Sequence, residues 1–120
     1  MHKELADRLY ANYPALFVER NLPPDLTCMS RGIECGDGWY GLIDTLCSTL
    51  QWWVEHCDMP PVRVTQVKEK LGSLRFRFKG GDDRTQGMVR MAEAISRKIC
   101  NTCGCSCDRH GDSCNASLYA

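Results

Sequence analysis

The sequence predicts a small α+β domain in which helices pack on one face of a β-hairpin and a zinc knuckle closes the C-terminal end. Trp39, Leu42, Ile43, Leu46, Cys47, Leu50, Trp53, Val54 and Cys57 recur at intervals of three and four, which aligns them along one side of a helix. Val62-Arg63-Val64-Thr65-Gln66 and Leu74-Arg75-Phe76-Arg77-Phe78-Lys79 alternate in polarity, the period of a strand with one buried face. Cys100-Asn101-Thr102-Cys103-Gly104 has the spacing of a metal knuckle, in which two thiolates grip one ion and a glycine relaxes the turn. With 120 residues and one core pattern, the chain reads as a single domain. It divides into an N-terminal helix and loop (1–27), a core of helix, hairpin and helix (28–99) and a Cys/His-rich tail (100–114).

In chain order, Leu5, Leu9 and Tyr13 lie four apart and Pro14 closes the first helix. Pro23-Pro24 then marks a loop, because paired prolines forbid helix continuation. Asp37 is placed to cap a principal helix beginning at Gly38, where its carboxylate would accept from the first-turn N–H groups. Met59-Pro60-Pro61 ends that helix, and Lys70-Leu71-Gly72-Ser73 supplies the turn between the two strands. Kept in phase, the first strand would bury Gln66 and expose Val67, so either a bulge shifts the phase or Gln66 has a partner. Gly80-Gly81-Asp82-Asp83 makes a turn and a cap, and Met88, Met91, Ala92, Ile95 and Ile99 trace the inner face of the last helix.

Fifteen basic and fifteen acidic side chains cancel, so no global field draws the protein to nucleic acid or an anionic membrane. The distribution is uneven. Pro61 to Gly80 holds six cations against the single acid Glu69, whereas Met1 to Pro60 holds four cations and nine acids. The alternation of the hairpin sorts Arg63, Thr65, Arg75, Arg77 and Lys79 onto a solvent-facing basic ridge that Lys68 and Lys70 extend, and turns Phe76 and Phe78 inward. No apolar run approaches bilayer length and the first residues lack a secretory apolar segment, which predicts a cytoplasmic protein with no membrane partner.

Nine cysteines in such a compartment read as thiols and metal ligands rather than as a disulfide framework. Cys100 and Cys103 form the first ligand pair. Two further ligands come from Cys107 with His110, or from His110 with Cys114, the second arrangement having the wider loop. Cys105 points away from the others in an extended segment and is read as a bystander. Four protein ligands leave no open position for water, so the zinc would be structural. Cys47 and Cys57 lie on an apolar helix stripe as small hydrophobes, and Cys28 and Cys35 lie in a more open loop.

The run Glu34-Cys35-Gly36-Asp37-Gly38-Trp39-Tyr40-Gly41-Leu42-Ile43-Asp44-Thr45-Leu46-Cys47 resembles a group of small uncharacterised proteins encoded by tailed phages and prophages. Gln66 to Phe76, Gly80-Gly81-Asp82-Asp83, and Met91-Ala92-Glu93 followed by Cys100-x-x-Cys103-Gly104 resemble the same group in the same order. The resemblance implies a virus-encoded accessory protein with a C-terminal zinc element completed by a Cys-x-x-His pair, which here matches Cys107 and His110.

Function is then expected to be non-catalytic binding: Arg63, Lys68, Arg75, Arg77 and Lys79 would engage a host protein or protein–nucleic acid complex, with inhibition of a bacterial defence system, such as an anti-CRISPR role, as the outcome. The rival expectation is a zinc-containing nucleic-acid-binding regulator using the same hairpin. A metal-dependent nuclease built on Glu34, Asp37, Asp44 and Lys68 is the third, weakened because no acidic residue precedes Lys68 on its own strand. An exposed hairpin edge would also permit a dimer by strand addition.

Overall fold

The computed structural model describes residues 1–106. It is an α+β fold of three helices and a three-stranded sheet. Helix α1 spans Lys3–Asn12, strand β1 Ile33–Glu34, helix α2 Tyr40–His56, strands β2 and β3 Val62–Lys70 and Ser73–Gly80, and helix α3 Asp83–Ser96, with short 3-10 turns at Val18–Asn21, Cys28–Arg31 and Asp37–Trp39.

The β2–β3 hairpin is antiparallel, and β1 adds a third strand parallel to β2, opposite Val67 and Lys68. Two residues are too few for a period, so β1 was illegible as a pattern. The phase problem in β2 is resolved by a bulge between Val64 and Gln66. The extra residue, Thr65, lets Val62, Val64 and Val67 all point into the core, where each is buried.

One core joins this inner sheet face to Leu9, Leu16, Phe17, Met29, Trp39, Ile43, Leu46, Cys47, Leu50, Phe76 and Val89. Helix α3 packs on β3 and α2 packs on α3. The Tyr13 hydroxyl donates to Asp44 at 2.6 Å and ties the end of α1 to α2, and burial, followed by that bond, pushes the phenol up to about 12. Asp82 caps α3 through a box shared with Thr85, as the Gly-Gly-Asp-Asp run predicts.

Three expectations are corrected. Asp37 does not cap α2; its carboxylate accepts from the backbone N–H of His2 at 2.7 Å and bonds the His2 ring, because a 3-10 turn intervenes before Tyr40. The inner face of α3 is Thr85, Val89, Ala92 and Ser96, while Met91 is 63% exposed and Ile95 38%. The helix is rotated because its polar side chains serve the sheet: Ser96 Oγ accepts from the Leu74 N–H at 2.9 Å and Glu93 Oε2 from the Phe76 N–H at 3.0 Å. Those two bonds also engage two of the donors on the outer edge of β3. Finally, Cys35 is buried rather than open, whereas Cys28 is exposed. Among the described residues no helix is long and apolar enough to cross a membrane.

Candidate metal centre

After α3 the chain turns back on itself. Ile99 and Ser106 pair as an antiparallel bridge, the Cys100 N–H donates to the Cys105 carbonyl at 2.8 Å, and the Gly104 N–H donates to the Cys100 carbonyl at 2.8 Å. Gly104 takes the left-handed φ of 79° that this reversal needs and that side chains resist. The Thr102 N–H points at Cys100 Sγ, 3.4 Å away. Such a bond favours a thiolate over a thiol.

The reversal gathers the Sγ atoms of Cys100, Cys103 and Cys105 to within 4.8 Å of one another. Around a tetrahedral ion with metal–sulfur bonds of about 2.3 Å, sulfurs stand about 3.8 Å apart. The three therefore need to close by no more than about 1 Å, and the donor set can hold a metal ion. Cys105 is thus a member of the cluster and not a bystander. The reading that excluded it assumed an extended segment, and Gly104, in its left-handed conformation, is the signal that the segment turns. Cys107, His110 and Cys114 lie outside the described residues.

The knuckle is docked on the loop before α2. Gly36 N–H donates to Asn101 Oδ1 at 2.6 Å, Gly38 N–H to the Asn101 carbonyl at 2.9 Å, and the buried indole of Trp39 to the Ile99 carbonyl at 2.8 Å. Contact is so close that a Cβ on Gly36 would fall 2.1 Å from the Asn101 oxygen, and one on Gly38 2.1 Å from the Cys100 oxygen. The Gly36-Asp37-Gly38-Trp39 run is therefore a cradle for the knuckle. Its glycines are needed for backbone approach rather than for a special φ. The two motifs lie more than 60 positions apart, and the spacing of neither points to the other.

The remaining thiols are set apart. Burial pushes the Cys35 thiol up to about 11, and burial likewise raises Cys47. Both are held neutral, the state of a packed hydrophobe rather than of a ligand. Glu34, Asp37 and Asp44 do not converge; Cys100, Cys103 and Cys105 form the metal-donor group found among the described residues.

On the hairpin, cross-strand pairing sets Arg63 opposite Lys79, Gln66 opposite Arg77 and Lys68 opposite Arg75. The bulge carries Lys68 onto the same face as Arg63. Arg63, Arg77 and Lys79 are exposed, and Lys68 and Arg75 half-buried. Lys79 lies 3.7 Å from Glu19, whose carboxylate is almost wholly buried, with Oε1 making no hydrogen bond among the described residues. No protein-family model matches the chain, and no curated protein or solved structure matches it.

Proposed function

We propose that the chain is a non-catalytic, zinc-containing accessory protein of a tailed phage or prophage, which acts in the bacterial cytoplasm by occupying a surface of a host macromolecular complex. Complexes of bacterial defence, CRISPR effectors among them, are the target class. The observation that carries the reading is the cationic hairpin face: like charges stand directly opposite one another at Arg63/Lys79 and Lys68/Arg75. Such pairs destabilise a sheet, and an anionic partner would relieve them.

Zinc fits the cluster because a sulfur-rich tetrahedral set selects it, with Cys100, Cys103 and Cys105 as three ligands and the fourth drawn from Cys107, His110 or Cys114. A closed set of four gives the metal a structural role, which is to shape the knuckle that Gly36, Gly38 and Trp39 hold. The motifs that carry the phage resemblance include both halves of this contact.

The test is affinity capture from bacterial lysate at near-physiological salt, with the metal-loaded protein and an Arg75→Ala/Arg77→Ala variant as baits. A defined complex retained by the first and lost by the second is expected. Recovery of the same proteins by both baits would sink the assignment of the ridge as the working surface.

A further inference from the structure

We infer that the cationic face of the hairpin is a docking surface for the phosphate backbone of duplex DNA. The inference rests on the ridge being the working surface and names what it touches. Same-face positions along a strand repeat at about 7 Å, so Arg75, Arg77 and Lys79 step evenly along β3, while the bulge at Thr65 breaks the step on β2 and adds twist there. Cations stepped along a strand in this way can meet successive phosphates of a duplex backbone.

Charge complementarity fixes the side on which a partner would lie. On the β1 side the acid Glu34 stands opposite Lys68, and Glu19 reaches Lys79 of β3 at 3.7 Å. On the β3 side Arg75, Arg77 and Lys79 are joined by Arg90 of α3, lining a groove of about 550 Å3 that also offers Thr65 and Gln86 as hydrogen-bonding groups. Glu93 lies in this groove too, but it is engaged with the Phe76 N–H. Among the described residues no ion pair neutralises Arg63, Arg75, Arg77 or Arg90.

The composition of the face decides between partner classes. Protein interfaces are centred on aromatic, apolar or arginine anchors packed together, and are depleted of lysine and of acids. The large exposed hydrophobics, Leu26, Trp52, Leu71, Met91 and Ile95 among them, belong to other parts of the surface or to the hairpin tip, not to the face itself. Single-stranded nucleic acid is disfavoured as well. Phe76 and Phe78 line the groove beside the arginines, but Phe76 is buried and Phe78 is half-buried against the core, so neither ring is offered as an open stacking platform. What the face offers is cations and hydrogen-bonding groups, the chemistry of backbone contact without base readout.

The experiment is fluorescence anisotropy of a labelled duplex of about 20 base pairs with the metal-loaded full chain, from about 50 to about 200 mM salt. Four phosphate contacts predict a log–log slope near −3.6, a loss of about 150-fold in affinity across that range. Arg75→Ala/Arg77→Ala should weaken binding and flatten the slope by about 2, with Arg63→Gln/Lys68→Gln as the second pair should the first not fold. Arg8→Ala on α1 should change neither. Absence of duplex binding at low salt, or a slope unmoved in the ridge variants, overturns the inference. So does polyglutamate of equal charge binding as tightly as the duplex, which would assign the face to an acidic protein segment. Capture of a host complex together with failure of duplex binding would leave the proposed function standing and remove this inference alone.

Discussion

Replacing Gly38 by alanine tests the cradle directly. The new Cβ would stand 2.1 Å from the Cys100 oxygen and 2.5 Å from the Gly104 nitrogen, where ordinary contact begins at 3.4 Å. The knuckle must therefore retreat by about 1.3 Å, which stretches hydrogen bonds of 2.6 to 2.9 Å from Gly36, Gly38 and Trp39 beyond useful length. Three such bonds at about 1 kcal/mol each amount to about 3 kcal/mol, more if the Trp39 N–H is left buried and unpaired. Gly41→Ala and Gly87→Ala are matched controls, since nothing lies within 4 Å of a Cβ at either helical site. Each should gain about 0.5–1 kcal/mol from helix propensity. Urea unfolding of the metal-loaded proteins, followed by tryptophan fluorescence, measures the difference. A Gly38→Ala midpoint equal to or above that of Gly41→Ala would refute the docking geometry.

Other perturbations probe neighbouring contacts. Cys105→Ser should lower zinc content as far as Cys100→Ser does, while Cys28→Ser and Cys57→Ser leave it unchanged; elemental analysis of purified protein decides, and full retention by Cys105→Ser would count against the three-sulfur cluster. Ser96→Ala strands the Leu74 N–H beneath α3 and should cost about 1–3 kcal/mol in thermal or urea unfolding. The Asp37 carboxyl is held below its ordinary 3.8 by the His2 backbone N–H and then by the His2 ring. Its stabilisation is complete above that ordinary value and is lost as pH falls through the lowered one, so melting curves of the native protein and Asp37→Asn should diverge near neutrality and converge in strong acid.

Long-period signals survived the passage from sequence to structure, and short or relational ones did not. The stripe from Trp39 to Leu50 and the alternation from Leu74 to Phe78 each repeat a burial choice several times, which is why α2 and the hairpin were legible. Strand β1 makes that choice once. In α3 the methionines and isoleucines suggested a wholly buried face, but serving the backbone of β3 with Ser96 and Glu93 outweighed burying Met91. The side on which Cys105 lies depends on the φ of Gly104, which the spacing of the cysteines does not carry. The cradle was invisible for another reason: Gly36 and Gly38 look like turn residues until Asn101, 65 positions from Gly36, is brought against them.

The compactness of the cysteine cluster has a thermodynamic consequence. Its three sulfurs come from six consecutive residues, and the candidate fourth ligands lie within the next nine. Such a segment can capture zinc while the rest of the chain is unfolded, and a ligand that binds the denatured state stabilises the native one only by the difference between its two affinities. The metal then acts less as a cross-link than as a way of preparing the segment's shape in advance. Closure of the chain falls to Gly36, Gly38 and Trp39, which recognise that finished shape across 60 or more residues.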